Sequence, residues 1–70
     1  MNDNVEMLKR VMSRHNLSGY RVDKLLDVSV STCSRWLTGR QNIGRVAAAA
    51  IKYMGYYLDR EAEDAKAEEG

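Results

Sequence analysis

The chain has no proline, one cysteine, one histidine and one tryptophan among its 70 residues. A lone cysteine, Cys33, excludes an intrachain disulfide. With His15 as the single histidine, a His/Cys metal site lacks ligands. No apolar run approaches the roughly 20 residues that cross a bilayer, and no apolar segment of a secretory leader follows Met1. Neither a glycine-rich phosphate loop nor a set of convergent acids is present, so no enzyme chemistry is expected. The expectation is a cytoplasmic protein with no cofactor, no metal, no small-molecule ligand and no membrane partner. Seventy residues allow one domain with a modest core. Pairing with a second copy is the remaining way to bury more surface.

The net charge of +1 conceals an uneven distribution. Residues 1–54 hold nine Lys/Arg against four Asp/Glu, a balance of +5. Residues 55–70 hold two (Arg60, Lys66) against six, a balance of −4. A basic body with an acidic tail suits a nucleic-acid binder, and it also suits an ordinary solvated helix end. The division expected is a body over 1–58 and an acidic helix or tail over 59–70.

No stretch alternates in the manner of a strand, and everything reads helical, which predicts an all-α chain. A first helix over 5–15 carries Val5, Leu8, Val11, Met12 and His15 on one side, with Asp3 and Glu6 spaced as a capping box. Asn16 suits its left-handed end. Ser18 caps a second, short helix whose inner face is Val22, Leu25 and Leu26. A fourth helix starts between Ile43 and Arg45. Its expected inner stripe is Val46, Ala49, Ala50, Tyr53, Met54 and Tyr57, with a break or bend at Gly55. A polar helix from Leu58 to about Ala67 then frays into Glu68-Glu69-Gly70.

Between them lies DVSVSTCSRWLTGR, residues 27–40, with three serines and two threonines. These are mediocre helix formers. Yet Ser29 reads as an N-cap and Gly39 as a left-handed C-cap. At 100° per residue, Cys33, Trp36 and Leu37 share one side, while Ser31, Thr38 and Arg35 take the other. Helices 2 and 3 are joined by the short turn Asp27-Val28-Ser29, the spacing of a helix-turn-helix.

The stretch LSGYRVDKLLDVSVSTCSRWLTGRQN, residues 17–42, resembles the Cro/XRE, lambda-repressor-like helix-turn-helix family. Val22, Leu26, Val28, Cys33 and Trp36 occupy the buried positions of that pattern. Two departures stand out. Asp23 replaces the usual alanine and needs a partner, with Lys24, Arg21 or a hydroxyl of helix 3 as candidates. Asp27 replaces the usual turn glycine, and aspartate tolerates left-handed geometry.

The resemblance implies a compact four- to five-helix domain that lays helix 29–38 in the major groove of double-stranded DNA. Val30, Ser31, Ser34 and Arg35 are then the base-contact candidates. Short hydroxyls donate and accept without blocking approach, and arginine can bridge guanine O6 and N7. Gly19, Tyr20, Arg21, Ser29, Thr32, Arg40, Asn42 and Arg45 are phosphate-contact candidates, helped by the free first-turn amides of helix 3. Cys33 is expected as a small buried group and His15 as a helix-end residue.

Helix-turn-helix proteins pair on palindromic sites, so a homodimer is expected, with Met54, Tyr56, Tyr57 and Leu58 as its interface. The function expected is a small transcriptional regulator of phage or prokaryotic type, a repressor that blocks a promoter by occupying it. The alternative is a protein-interaction module, an antitoxin or phage accessory factor, on the same fold.

Overall fold

In the computed structural model, residues 3–69 are described, with side chains through residue 65. Four α-helices follow one another: α1 (Asp3–His15), α2 (Gly19–Leu26), α3 (Thr32–Leu37) and α4 (Arg45–Glu69). Among the described residues there is no strand. The all-α expectation is met.

Three of the helices end in the same way. Asn16, Asp27 and Gly39 all take positive φ, at 53°, 55° and 78°. In each case the next amide reaches back five residues: Leu17 to Met12, Val28 to Asp23 and Arg40 to Arg35, at 2.8, 3.0 and 3.0 Å. This is the left-handed closure that satisfies the carbonyls a helix end leaves orphaned. Only the third position is glycine. Asparagine and aspartate serve at the other two because their short polar side chains tolerate that region.

α1, α2 and α3 enclose a core of Leu8, Val22, Cys33 and Trp36, closed by Ile43, Ile51 and Met54 from the fourth helix and its lead-in loop. Leu26 and Val28, expected within that core, are half-buried at its edge. The side-chain Nδ2 of Asn4 donates to the Ile43 carbonyl at 3.4 Å, tying the start of α1 to that loop. The indole N–H of Trp36 is buried and has no partner among the described residues.

The fourth helix departs from expectation in three ways. It does not break at Gly55 but runs unbroken through 25 residues to Glu69, so no interruption marks the expected boundary after residue 58. Gly70 lies outside the described residues. Gly55 is buried, and a Cβ there would meet Val11 Cγ2 at 3.2 Å. The glycine is therefore a close-approach point between α1 and α4, not a hinge. The helix-propensity cost of about 1 kcal/mol is offset by that packing.

The inner stripe also differs. Ala47, Ala48, Ile51, Met54 and Leu58 face the core. Val46 and Tyr53, expected inside, are 85% and 69% exposed. The α4 sequence is apolar around most of its circumference here, so two stripes compete for the core. The one with Ile51 at its centre fits against α1 and α2.

At the end of α1, His15 does not cap its own helix. Its Nε2 lies 2.9 Å from Asp59 Oδ1, and Arg14 Nε is 2.9 Å from the same oxygen. Asp59, assigned to the acidic tail by charge alone, thus clamps α4 to α1.

Candidate nucleic-acid interface

The site is built on α2, the turn that follows it and α3. Ser18, with φ −82° and ψ 162°, starts α2 by accepting the Arg21 amide on its Oγ at 3.1 Å. The chain leaves α2 through Asp27 and turns across residues 28–31. It enters α3 at Ser31, which sits at φ 76° and makes no side-chain cap.

The cap comes from another helix. Asp23, on α2 and 3% exposed, accepts the amides of Ser31 and Cys33, each at 2.9 Å. A carboxylate at a helix start satisfies orphan donors and meets the positive end of the peptide dipoles. This explains why aspartate replaces the alanine of the resembled pattern. It also corrects the partners expected for Asp23: they are backbone amides, not Lys24, Arg21 or a hydroxyl. Close approach of the two helices is preserved at Gly19, where a Cβ would sit 3.9 Å from both Cβ and Sγ of Cys33.

Several site expectations change as a result. Ser29 is not the cap; its carbonyl instead accepts the Thr32 amide at 3.1 Å and the Thr32 hydroxyl at 2.7 Å. Thr32 is 5% exposed and so is no phosphate contact in this conformation. The amides of Ser31, Thr32 and Cys33 are not free for phosphate either, since Asp23 and Ser29 occupy them.

Arg35 is half-buried and folded along its own helix. Its Nε donates to Gln41 Oε1 at 3.1 Å and its Nη2 to Thr32 Oγ1 at 3.2 Å. These neutral acceptors engage two of its five N–H donors.

Other candidates converge. Gly19, Tyr20, Val30, Ser31 and Ser34 line one shallow groove with Asp23 at its base. Val30 and Tyr20 are 67% and 61% exposed. Lys24, expected only as a partner for Asp23, holds its ammonium 5.5 Å from the Tyr20 ring centre. Arg21, Ser29, Arg40, Asn42 and Arg45 are exposed outside this groove. Among the described residues, none of Arg21, Lys24, Arg40 and Arg45 forms a salt bridge.

On the inner side, Cys33 is fully buried with its Sγ 3.7 Å from Met12 Sδ. Burial, and secondarily the Asp23 carboxylate, push its thiol pKa up. A thiol held protonated in the core is a packing group, not a nucleophile. Of the residues expected at a dimer interface, Met54 is buried in the core and Leu58 is half-buried against it. Tyr56 and Tyr57 remain exposed.

No family model, no curated protein and no solved structure matches this chain. No helix among the described residues is long and apolar enough to cross a membrane.

Proposed function

We propose that the protein is a sequence-specific double-stranded DNA-binding transcriptional regulator of the helix-turn-helix kind, repressing by occupancy. The observation that carries this reading is the groove at the α2–α3 junction. Val30, Ser31 and Ser34 stand exposed there beside Tyr20, and α3 is clamped from behind by Asp23. A helix that needs no cap of its own can offer its first residues to base edges. Ser31 and Ser34 supply hydroxyls to the groove and Val30 an apolar contact for a thymine methyl. Arg35 adds a two-pronged contact once it swings outward from Gln41 and Thr32. Exposed cations at Arg21, Lys24, Arg40 and Arg45 supply phosphate affinity.

The test is selection of bound duplexes from a random library, followed by anisotropy titrations at several salt concentrations. An enriched motif with a steep salt dependence is expected. Arg35→Ala should cost about 1–3 kcal/mol and relax preference at one base pair, whereas Arg40→Ala should weaken all sequences and lower the salt slope by about one. No enrichment over non-specific binding, or identical behaviour of the two variants, contradicts the assignment.

A further inference from the structure

We propose that the outer face of α4 is a docking surface for a second copy of this chain, with the two α4 helices antiparallel. The inference stands apart from the DNA-binding reading, because it uses none of the residues of the α2–α3 groove.

The first observation is an unpartnered apolar ridge. Val46, Ala49, Ala50, Tyr53, Tyr56 and Tyr57 fall within about 60° of Tyr53 around the helix. Tyr56 and Tyr57 are each 58% exposed, and Val46 and Tyr53 more so. Tyr53 and Tyr56 stack edge to face, with centroids 6.4 Å apart. A contiguous exposed ridge of this kind, unlike scattered single apolar residues, marks an interaction surface. Beside it runs a groove between α2 and α4, lined by Leu25, Leu26, Ala50, Tyr53, Met54 and Tyr57. A ridge next to a groove on one face is what a self-complementary, two-fold contact needs.

The occupant follows from how size and charge are ordered along the ridge. Its N-terminal half is small: Val46, Ala49, Ala50. Its C-terminal half is large: Tyr53, Tyr56, Tyr57. Two copies laid antiparallel about Tyr53 set Tyr56 and Tyr57 of one over Ala50 and Ala49 of the other. Laid parallel, they would crowd ring on ring and leave a gap along the alanines.

Charge runs the same way. Arg45 opens the helix, while Glu61, Glu63 and Asp64 follow the tyrosines and outweigh the single cation Arg60 beside them, all exposed. Antiparallel pairing brings the acidic end of each copy to the basic end of the other; parallel pairing stacks acid on acid. Glu61 accepts the Tyr57 phenol and holds its pKa above the usual value, which ties the last ring of the ridge to the acidic end. The acids also disfavour nucleic acid as the occupant, because phosphate would be repelled there.

The test is sedimentation equilibrium of the whole chain at about 100 µM, where mass action favours any dimer of useful affinity. Twice the 8.0 kDa chain mass is expected. Tyr53→Glu should raise the dissociation constant by roughly 30-fold or more, as loss of a central anchor does. Orientation is read by oxidative crosslinking. Val46→Cys alone should form no disulfide-linked dimer, because its two copies lie on opposite sides of the two-fold axis. Mixed with Arg60→Cys, it should give the mixed dimer. A monomer at that concentration overturns the proposal and leaves the face to a different protein. Efficient self-crosslinking of Val46→Cys overturns the antiparallel arrangement.

Discussion

The outward faces of α3 and α4 are both exposed, yet one is written in hydroxyls and the other in tyrosines. On α3, Cys33 and Trp36 leave no doubt about which side is inside, because the other side offers Ser31, Ser34, Arg35 and Thr38. On α4 the apolar residues run around the helix, and the larger, aromatic stripe is the one left in solvent. Hydrophobicity therefore located the inner face on α3 and failed on α4. Shape made the choice there: Ile51, two alanines and Gly55 let α1 and α2 approach, and tyrosines would hold them apart. The two surfaces divide by chemistry as well. Short hydroxyls suit a polar groove edge, and exposed rings suit another protein.

The contrast can be broken most severely at its inner boundary. Ile51→Ala removes a fully buried side chain and should cost about 2–5 kcal/mol, read from Trp36 fluorescence in urea. A loss below about 1 kcal/mol would mean that the tyrosine stripe packs inward instead. At the start of α3, which Asp23 caps from α2, Asp23→Ala should cost about 2–3 kcal/mol, since two helix-start amides lose their acceptor. Asp23→Asn should recover only part of this, because one of its two groups is a donor. If the alanine variant proves neutral, α3 has another cap and the account of the pattern's missing alanine fails.

Gly55→Leu should cost about 1–3 kcal/mol by forcing α1 away from α4. A stabilised variant would show instead that Val11 yields easily. The smallest effect belongs to the outer stripe. Val46→Ser, measured in a Tyr53→Glu background to keep copies apart, should lie within about 0.5 kcal/mol of that parent. A larger loss would place Val46 in the monomer core.

Much of this was written locally. The caps at Ser18, Asn16, Asp27 and Gly39 depend on the residue itself and its near neighbours, so chain order alone revealed where three helices end. The side of α3 that faces out was legible for the same reason. The state of Arg35 was not, because Gln41 reaches it only when the loop after α3 folds back. Thr32 was misjudged because its hydroxyl turns inward to a carbonyl three residues earlier.

From the sequence alone came the all-α class, the helix-turn-helix spacing and the polar outer side of the third helix, all of which arise from contacts within a few residues. Only the tertiary structure decided that Asp23 caps a neighbouring helix, that Gly55 is a contact and not a bend, that Asp59 holds α1, and that the tyrosines face water. Each of these depends on which surfaces meet across 8 to 45 positions of chain. Periodicity along one helix cannot rank two apolar stripes until the partner that must fit one of them is in place.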